Sequence, residues 1–143
     1  MLHHVELWVP DLEGATGPWG WLLGELGWTV HQEFPGGRSW RCGPVYLVLE
    51  QSPALTSDVH DRLAPGLNHL AFDAGSRAEV DRLTAESADH GWALLFPDRH
   101  PHAGGPDSYA AYLEDAWGFE VELQSGPPET RVTAPSAAVI LDA

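Results

Sequence analysis

The chain's opening octet occurs a second time. Residues 2–9 read Leu-His-His-Val-Glu-Leu-Trp-Val and residues 66–73 read Gly-Leu-Asn-His-Leu-Ala-Phe-Asp, so His4-Val-Glu-Leu7 returns as His69-Leu-Ala-Phe72. A half of about 60 residues buries too little surface to stand comfortably alone, so the repeat predicts two paired copies of one unit in a single domain. Both octets read as strands led by a histidine. Successive side chains of a strand point to opposite faces, which puts Val5, Leu7 and Val9 on one face and His4, Glu6 and Trp8 on the other. The same parity separates Leu70 and Phe72 from His69, Ala71 and Asp73. Each copy therefore buries an aliphatic face and turns its histidine away from the core.

The segments after the two octets repeat as well. Asp11 is a helix cap, and Trp19, Leu22, Leu23 and Leu26 fall at helical spacing up to the stop at Gly27, against the cost of Gly14, Gly17, Gly20 and Pro18. Strands are expected over 28–34, 39–42 and 45–51, with a turn at Pro35-Gly36-Gly37. Residues 53–65 connect the halves. In the second half a strand over 67–73 leads to Ser76-Arg-Ala-Glu79, a capping box in which the two side chains satisfy each other's free backbone donors. Val80, Leu83 and Ala88 form the buried stripe, and Gly91 ends the helix. Strands are expected over 92–96, 109–114 and 119–124, with a Pro/Gly/His loop at 97–107. The fold expected is α+β, two tandem βαβββ modules over about 1–52 and 66–124, curled into a barrel-like cleft with helices outside. Residues 125–143 read as a tail whose Val139-Ile140-Leu141 can dock on the body or on a second subunit.

Parity also sorts the remaining strands. Val45, Leu47 and Leu49 are expected to face the first helix, leaving Tyr46, Val48 and Glu50 with the histidines. Phe119, Val121 and Leu123 face the second helix, leaving Glu120 and Glu122 opposite. Two imidazoles and several carboxylates thus share the non-core side, a donor mixture suited to Fe, Mn, Ni, Co or Zn. Charge narrows the partners. Seven arginines, no lysine and 21 acids give −14, which opposes binding to nucleic-acid phosphates and is compatible with a bound cation or cationic ligand. No apolar run reaches the roughly 20 residues of a membrane span. The single Cys42 forms no internal disulfide and no leader opens the chain, so the expected location is the cytoplasm.

Three segments carry a resemblance: His4-Val-Glu-Leu-Trp-Val-Pro-Asp11-Leu12, Gly66-Leu-Asn-His69-Leu-Ala-Phe72, and Tyr112-Leu-Glu-Asp115-Ala-Trp-Gly118-Phe-Glu-Val-Glu122-Leu123. Together they resemble the vicinal oxygen chelate superfamily of glyoxalase I, fosfomycin-resistance transferases, extradiol dioxygenases and bleomycin-resistance proteins. The resemblance implies a divalent metal held by His4, His69 and Glu122, with Glu50 as a fourth ligand or proton carrier, and a homodimer whose sites lie within one chain or across two. Asp115-Ala-Trp-Gly118 departs from the family's common Asp-Pro-Asp-Gly, a change of turn that leaves Glu122 in place.

The implied activity is glyoxalase-like isomerase or lyase chemistry on a small molecule, through a metal-stabilised enolate or oxyanion, with Glu50 or Glu122 shuttling protons. Arg99-His100, Asp107, Tyr112 and Glu122 also resemble the last module of extradiol dioxygenases, which makes iron-dependent ring cleavage the competing enzyme and His100 and Tyr112 its assisting groups. The third reading is a drug-binding protein of the bleomycin-resistance kind. For any of these, Trp8 and Tyr46, with Trp40, Trp92, His102 and Tyr109, are the expected pocket side chains. His3 is expected to face away, His31, His60 and His90 to lie on the surface, Glu120 to be solvated and Cys42 to be a small buried side chain.

Overall fold

The computed structural model of the chain describes residues 1–127. The tail's expected docking through Val139-Ile140-Leu141 lies outside them. The first module contains β1 (His4–Trp8), α1 (Leu12–Glu25), β2 (Thr29–Phe34), β3 (Gly37–Cys42) and β4 (Val45–Glu50). The second contains β5 (His69–Asp73), α2 (Arg77–Ser87), a 3-10 turn at Ala88–His90, β6 (Ala93–Leu94), β7 (Ala110–Glu114) and β8 (Glu120–Gln124). Each module is one four-stranded sheet, ordered β1-β4-β3-β2 and β5-β8-β7-β6. The outcome is the expected α+β pair of βαβββ units.

Asp11 and Ser76 cap their helices as expected, but only half of the second capping box forms, because the Glu79 carboxylate accepts from Arg82 at 2.9 Å instead of reaching back to Ser76. Asp11 accepts from Gly14 N–H at 3.0 Å and Ser76 from Glu79 N–H at 3.2 Å, each satisfying a donor that the first helical turn leaves free. α1 survives Pro18 and three glycines because Ala15, Trp19, Leu22 and Leu23 are buried along one face, and packing outweighs propensity. The β2–β3 hairpin turns through Pro35 and Gly36, and Gly36 has φ +81°, which only glycine adopts at no cost. β6 spans two residues where five were expected. Trp92, just before it, spends its side chain on the core and donates its indole N–H to Pro18 O at 3.1 Å.

Both modules feed one continuous core. Leu7, Val9, Trp40, Leu47 and Leu49 from the first sheet join Trp19 and Leu22 of α1, Val80 and Leu83 of α2, and Leu113, Val121 and Leu123 of the second sheet. The helices meet there: Trp19 packs edge-on to Trp92 and Phe119, with ring centroids 5.1 and 6.4 Å away. Truncating a buried tryptophan to alanine costs about 3–5 kcal/mol, so Trp19 alone carries a sizeable part of the joint between modules. β1 and β5 each pair on one side only, and a 280 Å³ groove lined by Val5, Leu47, Trp28, Leu70 and Phe72 runs between them. Among the described residues no helix is long and apolar enough to cross a membrane. Cys42 is free, as expected, but exposed, because it sits at the end of β3 beyond the last core residue.

Candidate metal and substrate site

The strand parity holds on both sheets. His4, Glu6 and Trp8 are exposed on β1 while Leu7 is buried, and Val121 and Leu123 sit in the core while Glu122 turns the other way. Strand register then decides which side chains meet on the open faces.

On the second sheet, β5 and β8 run parallel and Tyr112 of β7 pairs with Glu122. This brings His69 Nε2 to 3.1 Å from Glu122 Oε2. On its other side, His69 Nδ1 lies 2.7 Å from Asn68 Oδ1, and the Asn68 amide is fixed because its NH2 donates to Arg62 O at 3.0 Å. An amide oxygen only accepts, so the His69 ring carries its proton on Nδ1. Nε2 and the Glu122 carboxylate then face each other as two lone-pair donors, and a proton or a metal ion must lie between them. A histidine whose outer nitrogen is held by a carbonyl-type acceptor, opposite a half-buried carboxylate, is an N/O pair that suits a divalent metal. Tyr112 stands edge-on to His69, with ring centroids 5.8 Å apart. Burial first, then the charge of Glu122 and a hydrogen bond to it, hold the Tyr112 phenol above its ordinary value of 10.0.

Glu120 is 4 % exposed rather than solvated, because Arg62 reaches over from the inter-module connection and sets Nη1 2.9 Å from its carboxylate. Arg62 also lies 3.9 Å from Glu114. His60, expected at the surface, is half-buried: its ring stacks on Phe119 at 4.6 Å and Nε2 lies 2.9 Å from Leu67 O.

On the first sheet, His4 pairs in register with Tyr46, and the two rings stack at 4.8 Å and 8°. His3 does not face away: its Nδ1 lies 2.8 Å from His4 Nδ1, and its ring meets Tyr46 edge-on. His31 adds a third imidazole 5.4 Å from Tyr46. Trp8 is 43 % exposed and donates its indole N–H to Glu6 at 2.9 Å. Glu6, absent from the expected site, hydrogen-bonds Glu50, and that bond, then desolvation and the Glu6 charge, raise the Glu50 carboxyl above its ordinary 4.5. Parity had placed Glu6 beside His4, and that was the available signal for it.

One chain thus assembles part of the expected ligand set. Among the described residues no three His, Cys, Asp or Glu side chains converge to hold a metal ion. His69 and Glu122 meet, whereas His4 and Glu50 are held on the other module. Four pocket expectations are corrected. Trp40 pairs with Leu47 and Trp92 packs on Trp19, so both indoles fill the core. Tyr109 donates to Asp81 of α2 at 2.6 Å, and His102 Nδ1 is tied to Ser108 O at 2.6 Å, which keeps both beside α2 instead of His69. Tyr109 borders a separate hollow of about 790 Å³ with Asp73, Arg77 and Asp107. His100 is half-buried, with no hydrogen-bond partner at Nδ1 among the described residues.

Residues 3–112, most of the chain, match the family model described as the glyoxalase/bleomycin resistance protein/dioxygenase superfamily. The chain belongs to this superfamily. The matched region contains His4, His69 and Tyr112 and ends before β8. Among superfamily relatives, the chain is 44% identical over 124 residues to the uncharacterized protein YqjT of Bacillus subtilis, covering 85% of this chain and 96% of that one. A crystal structure of a candidate glyoxalase from Bacillus halodurans superposes with a TM-score of 0.83 at 44% identity, over 88% of this chain and 96% of the other. A glyoxalase/bleomycin resistance protein from Albidiferax ferrireducens has the same fold, with a TM-score of 0.70 at 23% identity over 89% and 99% of the two chains.

Proposed function

We propose that this chain is a divalent-metal-dependent enzyme of the superfamily, acting on a small organic molecule with glyoxalase-like isomerase or lyase chemistry. The observation that supports this is the His69 and Glu122 pair, whose facing lone pairs 3.1 Å apart call for a cation once Asn68 fixes the ring proton. In this reading His69 and Glu122 hold the ion together with His4 from a second copy, because one chain keeps His4 on the other module; Glu50 pairs with Trp8, four residues along β1 from His4, and serves as the proton carrier. When bound, the metal supplies a Lewis acid that polarises a substrate oxygen. The chain's own groups do the rest. Glu50, whose carboxyl the hydrogen bond to Glu6 raises above its ordinary value, takes or returns a proton, and Tyr112, its phenol raised further by burial, donates a hydrogen bond to a developing oxyanion.

The test is subunit complementation. His4→Ala and Glu122→Ala homodimers should each lose zinc or manganese binding in calorimetry. Mixed and re-equilibrated, they should recover about a quarter of the wild-type sites, since half the dimers are mixed and each of these rebuilds one of two symmetric sites. Recovery of none would place the site within one chain or remove the metal reading. Activity lost without oxygen and restored by ferrous iron would identify the dioxygenase. Tight drug binding by metal-free protein would identify sequestration.

A further inference from the structure

We propose that His3 is a positioning residue of the candidate metal site: its Nδ1 accepts the Nδ1 proton of His4 and so leaves His4 Nε2 free to ligate. This rests on reading His4 as a metal ligand. The two repeated octets align as Leu2-His3-His4 and Leu67-Asn68-His69, so His3 stands where the second copy has Asn68. Both residues make the same contact. Asn68 Oδ1 lies 2.7 Å from His69 Nδ1, and His3 Nδ1 lies 2.8 Å from His4 Nδ1. In each module the residue just before the candidate ligand therefore reaches the Nδ1 of its ring. Outer partners of this kind fix the tautomer and orientation of a ligating histidine.

Two imidazole nitrogens at this distance are bonded when one carries a proton and the other a lone pair. If His3 donated, a neutral His4 would carry its own proton on Nε2, and neither of its nitrogens would keep a free lone pair. If His4 donates, its Nε2 stays open, as that of His69 does opposite Glu122. Only the second arrangement agrees with a neutral ligating ring. Packing holds both rings in place. Tyr46 pairs in register with His4, stacks on its ring at 4.8 Å and 8°, and meets the His3 ring edge-on at 5.4 Å. The Tyr46 N–H also donates to His3 O at 3.4 Å, which fixes the His3 backbone beside β4 although β1 begins one residue later. An imidazole differs from the Asn68 oxygen in one respect: it can reverse the bond, whereas an amide oxygen only accepts. The first half of the site thus has a reversible partner and the second a fixed one.

The test reads the tautomer in the metal-free full chain, by long-range proton–nitrogen NMR of the imidazoles at about pH 8.5, where ordinary imidazoles are neutral. In wild type, His4 should carry its proton on Nδ1 and His3 on Nε2. His3→Leu should abolish that preference in His4 and weaken zinc binding about 10-fold or more in calorimetry. His3→Asn, which offers the same kind of oxygen as Asn68, should restore both. If His3→Leu perturbs the folded spectrum, His3→Ala is read in its place. A wild-type His4 protonated on Nε2, a His4 tautomer or zinc affinity unchanged in His3→Leu, or no rescue in His3→Asn would each overturn the proposal. Zinc titration of His4→Ala keeps the two readings apart. If it loses zinc while His3→Leu binds as wild type does, the role of His3 alone is removed. If it binds zinc as wild type does, the ligand reading of His4 fails, and the tautomer change in His3→Leu stands on its own.

Discussion

The indole N–H of Trp19, in the first module, donates to Asp115 Oδ2 of the second at 3.0 Å, and both residues are buried. The other carboxylate oxygen accepts from Trp117 N–H and Phe119 N–H at 2.9 Å, so one side chain closes the β7–β8 turn and ties it to α1. Asp115→Asn keeps one accepting oxygen but sets an amide NH2 against the indole N–H. It should cost about 1–3 kcal/mol in urea denaturation, the penalty of an unsatisfied buried donor. Combined with Trp19→Phe the loss should be less than additive, because the clashing donor is gone.

The second-sheet pair depends on Asn68. Asn68→Ala frees the His69 ring to change tautomer and orientation, and metal affinity should fall about 10-fold or more by calorimetry, as with other outer partners of ligating histidines. The folded spectrum should be retained, since Asn68 spends its hydrogen bonds on His69 and Arg62.

Tyr112 gives a signature at high pH. Its folded-state phenol is held above 10.0 by burial first and then by Glu122, so the unfolded chain ionises there first. The stabilisation is fully present below about pH 10 and is lost as pH rises through the folded value. Absorbance titration should show Tyr112 ionising late, and Glu122→Gln should bring that step down. Tyr109, bonded to Asp81, should also titrate late and be unaffected by Glu122→Gln.

Glu50 and Glu6 form a carboxylate pair whose bond raises the Glu50 value. In carbon-detected NMR titration, Glu6→Gln should shift Glu50 down towards 4.5 by removing the carboxyl partner of that hydrogen bond and, with it, the Glu6 charge. Trp8→Phe, which removes the indole N–H that orients Glu6, should shift it by less.

How much the sequence reveals depends on the range of each signal. Alternation of period two settled the sides of His4, Leu7, Val121 and Glu122, because face depends only on neighbours along one strand. The caps at Asp11 and Ser76 are equally local. Trp40 needed more: its side depends on pairing with Leu47, and the Gly43-Pro44 turn between β3 and β4 sets that register. Trp92 and Glu120 were out of reach, since one is buried by α1 and the other by Arg62, both distant in the chain. His3 turns towards His4 because Tyr46 stacks between strands, a contact no single-strand pattern contains. Whether His4 meets His69 depends on how two modules are placed, which local periodicity does not encode.

The shared core also governs how the two copies live together. With Trp19 lodged against Trp92 and Phe119, cleaving the 52–65 connection would leave each fragment with a raw apolar wound shaped to the other. The duplicated halves have become obligate companions: each is now the other's solvent shield, and a change under one indole is felt by both.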